Sequence, residues 1–593
     1  MDHPTLTSRF ARRLAALALV AAGAIPATAA DWIHWRGPNQ NGVAAETGIP
    51  ASFGVGEVGK DNLVWRSNVG GRSAPLVLNG HLFLISASGT GLTEGERVVC
   101  LKEATGEQVW ETKFNVFHTD IVSSRLGWTS LTADPASGTI YCHGTQGNVA
   151  AFDAKTGNIK WLRNLTEEFG RITGYGGRIS SPIFDSGLVI VGFVNSSWGT
   201  HARGGNRYYA FDGKTGEVVW VSEVSNPQRM MKGTYYSNPV IAVINGQRLL
   251  ITGGADGAVH AMKVRTGEVV WSHPIAVNIV NPSPVVDGNL VYISHGEENI
   301  GGGPIGKVLC LDASQVNAKT KAPKVVWETK RIALPSGGSR QGVRFGLSSP
   351  ALADGVLYLP DDAGELYAFN AKDGKCLWTH KFGTVSRGAP LVVDGKLYVF
   401  DVNAKLTALK LNGKEEPEVL AEIPFRSTAG AGFVETHGTP IAVNGRLYFS
   451  TREFTYCIGD ANGKGGTAAA NGAAEAPFDE NAAPASLRIF PAEITTAPGQ
   501  TVNFSVKFLD ANGREVKAPA GAAIEWSLPQ PPAPTPMGAQ PPALNGVLKA
   551  DGAKATIEIA KVPSQQGYVS VKAGNLTTTV NTWARVRVAP QMP

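Results

Sequence analysis

The chain has 593 residues, a formal net charge of +5 and 17% charged residues, too weak a charge to point to nucleic acid or an anionic membrane as partner. The length predicts two or more domains with a sizeable buried core. With 70 Gly and 36 Pro, the composition favours many short strands and tight turns over long helices.

Residues 1–30 carry Arg9, Arg12 and Arg13, then an apolar run from Leu14 to Ile25, then Ala27-Thr28-Ala29. This is the three-part layout of a secretory signal peptide. A protein starting near Ala30 or Asp31, periplasmic or secreted after cleavage, is expected. The apolar run is shorter than the ~20 residues that span a bilayer, and no later stretch is apolar enough, so no transmembrane segment is predicted. The Arg12-Arg13 pair lacks the Phe-Leu of a twin-arginine signal, and no Cys lies near the cleavage site for a lipid anchor. Residues 31–61 form an N-terminal extension ahead of the first repeat.

Residues 62–460 repeat one unit. Its second half reads VVCLKEATGEQVW ending at Trp110, VAAFDAKTGNIKW at Trp161, YYAFDGKTGEVVW at Trp220, VHAMKVRTGEVVW at Trp271 and LYAFNAKDGKCLW at Trp378, with a longer version ending at Trp327. The Thr-Gly or Asp-Gly step supplies the positive φ of a tight hairpin turn. The first half is a Ser, Ala, Asn or Thr step, mostly before Pro, then an apolar strand, a turn and a second strand. It begins near Ser73, Thr129, Ser181, Asn238, Ser283, Ser349, Ala389 and Thr439. Each copy is one four-stranded blade, so the prediction is an all-β, eight-bladed β-propeller. The eighth copy stops at Asp460 without its last strand, and NLVWRSNV from Asn62, with Trp65, is expected to supply it. In the seventh copy Leu420 is read at the Trp position. Cys100, Cys310 and Cys457 alternate with Ala at one register position, which marks them as small packing residues.

Residues 461–486 are rich in Ala, Gly, Asn and Glu and read as a flexible linker. Residues 487–593 contain about seven short alternating strands and a proline-rich loop from Pro529 to Leu544, the pattern of an immunoglobulin-like β-sandwich. This part is similar to bacterial immunoglobulin-like modules, which serve as spacers or adhesion units.

The A-x-D-x-x-T-G-x-x-x-W signature resembles that of the pyrroloquinoline-quinone-repeat, quinoprotein-dehydrogenase-like propellers of exported bacterial type. The resemblance implies one of two functions. One is a ligand- or protein-binding scaffold at the cell envelope. The other is a pyrroloquinoline-quinone-dependent dehydrogenase that oxidises an alcohol or sugar with quinone and Ca²⁺ as cofactors. The sequence departs from the enzymes in having no adjacent cysteines and no Cys-x-x-Cys-His haem attachment. No residue stands out as the carboxylate base such chemistry requires, and hydrolase motifs are absent. No metal ligand set is assigned. Glu297, Glu298 and Asn299 are the oxygen donors of a long loop, and Asp256 is read as a turn residue.

In a propeller, residues just ahead of each first strand line one mouth of the central channel. Arg72, Arg125, Arg178, Arg344 and Arg387 hold such positions, together with Trp128, Tyr236, Asn281 and His437. A ring of guanidinium groups suits carboxylate or phosphate through paired, charge-assisted hydrogen bonds. The expected occupant is a protein or small anionic ligand, and these nine residues are the cofactor-binding candidates should the quinone bind. Loops lengthened on the same face, after Ser86, from Asn195 and from His295, are further candidates for contact.

Overall fold

The computed structural model describes residues 31–116, 121–169, 177, 179–195, 205–224, 236–277, 279–296, 306–403, 405–428, 432–459, 464–466, 473–529, 543–579 and 581–589. The signal-like segment, Arg178 and the Glu297–Asn299 loop lie outside the described residues.

Blades one to seven are antiparallel meanders of four strands in sequence order, with first strands beginning at Leu76, Thr132, Ile183, Val240, Val285, Ala351 and Leu391. The eighth sheet holds Ile441–Val443, Arg446–Ser450 and Thr455–Ile458, and its outer strand is Leu63–Ser67 from the other end of the repeat region. Trp65 pairs with Cys457. The same pairing sets Trp110 opposite Cys100, Trp161 opposite Ala151, Trp220 opposite Ala210 and Trp327 opposite Cys310. All five cysteines are free thiols, and four are buried. A large ring facing a strand needs a small partner, which Cys and Ala both satisfy. In blade seven the residue opposite Ala408 is Ala421. The Trp position is therefore Ala421 and not Leu420, because the bulge shared by these hairpins shifts the count by one.

Both parts of the repeat signature meet between blades. Trp65, Trp110, Trp161, Trp220 and Trp327 each lie against the turn glycine of the following blade: Gly106, Gly157, Gly216, Gly267 and Gly374. A Cβ on any of these glycines would come within 2.8 Å of the indole ring. Their φ values, 68° to 74°, also require the left-handed region. Each of these indoles donates Nε1–H to a carbonyl of the next blade at 2.8–3.0 Å, as Trp220 does to Val264 O. Trp271 and Trp378 face blades five and seven, whose turns depart from Thr-Gly, and their Nε1 atoms have no acceptor.

A second inter-blade device explains the residue before Pro. The Ala74 N–H donates to Ser130 Oγ, Ser130 N–H to Ser181 Oγ, Ser181 N–H to Asn238 Oδ1, Asn238 N–H to Ser283 Oγ, Ser283 N–H to Ser349 Oγ and Ala389 N–H to Thr439 Oγ1, at 2.7–3.1 Å. A belt of hydrogen bonds thus runs round the channel. It lacks a side-chain acceptor only at Ala74 and Ala389.

The N-terminal extension crosses the opposite end of the channel. Trp32 bridges to Val77 of blade one, and Ile33 O accepts from Thr132 Oγ1 of blade two. Gln40 Oε1 accepts from Ile241 N in blade four. Fully buried Arg36 donates Nη1–H to Pro350 O at 2.7 Å and Nη2–H to Pro284 O. Val43–Ala44 then pairs in parallel with Leu391–Val393, the first strand of blade seven.

The C-terminal region is a two-sheet sandwich. One sheet orders Ser486–Phe490, Thr501–Leu509, Lys554–Ile559 and Gly546–Asp551. The other orders Glu493–Thr496, Ala584–Val588, Gln566–Ala573 and Ile524–Ser527. Leu487, Ile489, Phe504, Phe508, Val571 and Val586 fill the space between them. The sandwich is fastened to the propeller. Glu493 pairs with Val218, in the outer strand of blade three. Its buried carboxylate accepts from Tyr209 Oη at 3.1 Å and pairs with Arg587 at 2.9 Å, and Arg587 stacks over Phe169. Where the expected linker is described it is also held: Glu475 pairs with Arg265 at 3.0 Å and Arg248 at 3.5 Å, and Ala476 N–H donates to Gly246 O.

Candidate functional site

The channel mouth opposite the N-terminal crossing is a cup of about 130 Å³. Its wall is the belt itself, with Ser130, Ser181, Asn238, Ser283, Ser349 and Thr439 facing inward, and its lining includes Trp35 from the N-terminal crossing. Seven of the nine candidates come together there: Arg72, Arg125, Trp128, Tyr236, Asn281, Arg387 and His437. Arg178 lies outside the described residues. Arg344 is exposed and is not part of the lining. Asp362 accepts from Gly346 N and Leu347 N, and its own N–H donates to Arg344 O. The loop is thereby turned so that Leu347 takes the place expected for Arg344.

The cup is basic and aromatic. The Arg125 guanidinium lies 4.5 Å from the Trp128 ring centre, and the Trp128 and His437 rings are 5.4 Å apart. Arg72, only 8% exposed, donates Nη1–H to Leu126 O at 3.3 Å, while its Nε and the neighbouring Ser73 Oγ have no partner. Behind them Glu435 lies 3.5 Å from His437 Nε2 and 3.8 Å from Arg72. Its hydrogen bond to His437, with Arg72 and Arg452 nearby, holds the carboxyl at about 2. Burial pushes His437 below the usual imidazole range and Arg72 below the usual guanidinium range. Among the described residues no Asp or Glu lines the cup itself, and the nearby counter-charge is Glu435, behind Arg72 and His437.

Sequence reasoning missed Trp35, Ser73 and Glu435. The available signal was Trp35-Arg36-Gly37-Pro38, a rigid aromatic and basic stretch outside the repeat. The pre-Pro hydroxyls were visible as a recurring step, but their shared role as acceptors appears only when blades stand side by side.

The donor set was tested against the quinone and calcium pair. Three arginines match the carboxylates of pyrroloquinoline quinone. Calcium requires oxygen donors, and the described residues contain no group of three or more His, Cys, Asp or Glu that could hold a metal ion. The described lining of the cup, which holds no carboxylate, therefore does not fit the pair.

The family profile described as outer membrane protein assembly factor BamB matches residues 94–344 and 324–475. The chain belongs to this pyrroloquinoline-quinone-repeat family. Among its relatives, outer membrane protein assembly factor BamB of Yersinia pestis is 25% identical over 279 residues, 46% of this chain and 62% of that protein. Tetrathionate hydrolase of Acidithiobacillus ferrooxidans is 26% identical over 269 residues, 42% of this chain and 46% of that protein. The chain thus spans about half to two thirds of the length of these relatives. Among solved structures, BamB of Moraxella catarrhalis matches at TM-score 0.41 and 15% identity, covering 63% of this chain and 96% of that one. The quinohemoprotein alcohol dehydrogenase of Comamonas testosteroni matches at TM-score 0.49 and 15% identity, covering 75% and 82%. Among the described residues no helix is long and apolar enough to cross a membrane.

Proposed function

We propose that this protein is an exported binding scaffold of the cell envelope, and that its channel mouth seats an anionic group of a protein or small ligand. The observation that carries the reading is the cup: three arginines and a histidine line it with no carboxylate among them. Arginine holds carboxylate or phosphate by paired hydrogen bonds, and within a recess such bonds are stronger than in open water. The signal-like N-terminus and the family's outer-membrane assembly description favour the envelope.

In this function the chain's own residues bind and orient. Arg72, Arg125 and Arg387 supply donors, Trp128 and Trp35 supply flat apolar faces, and the belt keeps them in register. The test is calorimetry and thermal shift of the mature chain with a tricarboxylate such as citrate, and with pyrroloquinoline quinone plus Ca²⁺, followed by a dye-linked alcohol oxidation assay. Carboxylate binding without quinone-dependent turnover is the expected result. Quinone-dependent turnover would overturn the scaffold reading in favour of the dehydrogenase, and no binding of any anion would overturn the cup.

A further inference from the structure

A groove of about 450 Å³ runs between the rim of blades two to four and the sandwich, and shares no lining residue with the mouth. On its sandwich wall, Arg488 and Lys507 stand directly opposite each other on paired strands, and both line the groove. Like charges directly opposite on an antiparallel pair repel and destabilise it. Arg488 is only 8% exposed. It donates Nη2–H to Thr266 O of blade four at 2.7 Å, and its Nε has no partner. Burial lowers it to about 10, a sign of how little compensates its charge. Arg36 is also buried without an acid, but its two Nη groups are committed to carbonyls.

The described carboxylates of the groove have partners other than Arg488. Asp134 accepts from Ser137, Asp212 and Glu217 accept from Thr215, and Glu515 pairs with Lys507. Three aromatic rings are also in the lining: Tyr141 and Phe184 stack at 5.1 Å, and Phe490 lies under the Lys507 ammonium at 5.6 Å. A desolvated guanidinium whose Nε has no partner among the described residues, near aromatic rings, suits an anion with an apolar body.

We propose that this interdomain groove binds an oxyanion, carboxylate or phosphate monoester, that carries an aromatic group. The oxyanion bridges Arg488 and Lys507, and the ring lies on Phe490 and Phe184. Because Phe184 belongs to blade three and Arg488 to the sandwich, the ligand touches both domains and tightens their union.

Isothermal titration of the full mature chain with phenyl phosphate, benzoate and inorganic phosphate tests this. Phenyl phosphate or benzoate is expected to bind, and whichever is tighter identifies the headgroup; inorganic phosphate is expected to bind more weakly than phenyl phosphate. Arg488→Met should lower affinity about tenfold or more, as loss of a charge-assisted pair does. Lys507→Ala should weaken binding less, while leaving the melting temperature of the unliganded chain unchanged or higher. This second variant keeps the test open should Arg488→Met fail to fold. Equal affinity in the variants and the parent chain, inorganic phosphate binding as tightly as phenyl phosphate, or no binding of any probe would each overturn the proposal. Citrate binding at the mouth is unaffected by any of these results.

Discussion

The two ends of the central channel use the same residue type for opposite purposes. At the crossed end Arg36 is fully buried, and its donors meet the carbonyls of Pro284 and Pro350 in blades five and six. At the open end Arg72, Arg125 and Arg387 face a cup lined by no acid. The open-end groups have contacts too, Arg72 with Leu126 O and Glu435 and Arg387 with Ser386 O. What sets them apart from Arg36 is that they stand on the wall of a cavity.

That contrast can be broken by substitution. Trp220→Ala sets the scale for the shared scaffold: the indole is fully buried against Gly267, and its loss should cost about 3–5 kcal/mol without changing ligand affinity at the mouth. A melting curve like that of the parent chain would refute the wedge between blades. Arg36→Met takes the donor from two buried carbonyls, a loss of about 2–6 kcal/mol at roughly 1–3 for each group. Unchanged denaturant midpoints would show that the crossed end is not held by Arg36.

The acid limb of stability sharpens the same point. His143 and His295 are buried, and burial holds each at about 4, below the usual 6.5. The folded state binds fewer protons than the unfolded state, so their contribution is complete above about 6.5 and is lost as pH falls towards 4. Buried Glu96 is raised by burial and acts in the opposite sense, its contribution being lost as pH rises. Urea midpoints at neutral and mildly acid pH should fall less steeply in His143→Asn than in the parent chain. Equal slopes would remove His143 from the account. Ser283→Ala takes one acceptor from the belt and should cost about 1 kcal/mol. Last is Arg72→Ala with Arg387→Ala, whose lost contacts at Leu126 O and Ser386 O should lower the melting temperature modestly while citrate affinity drops about tenfold or more, the weight of charge-assisted pairs; retained affinity would refute the cup.

Much of this was legible in the sequence because it repeats. Trp and Gly at fixed spacing report a contact that recurs between neighbours, so one blade explains the next, and the outer strand at Trp65 follows from the gap after Asp460. The mouth residues were legible from their place ahead of each first strand. Arg344 was misjudged because a hairpin, Arg331–Ala333 with Ser339–Gln341, and the Asp362 contacts turn that loop away. The N-terminal crossing was not legible, since Arg36 meets partners 248 and 314 positions away and no repeat records such pairs. Docking of the sandwich was hidden for the same reason: Glu493 is an ordinary strand residue until Tyr209 and Arg587 surround it.

The belt has one further consequence, in kinetics. Its gap at Ala389 leaves the seam between blades six and seven without a side-chain acceptor, and there Asn41 O accepts from Leu352 N and Gly42 O from Val392 N. The seam is therefore latched by residues near the start of the chain that wait for partners more than three hundred positions later. Contacts of such sequence separation form slowly, so the ring should assemble as an open arc, with this latch and the pairing of Trp65 with Cys457 forming late. Until then Trp32 and Trp35 lack their final neighbours, and the arc is the species most exposed to misassembly.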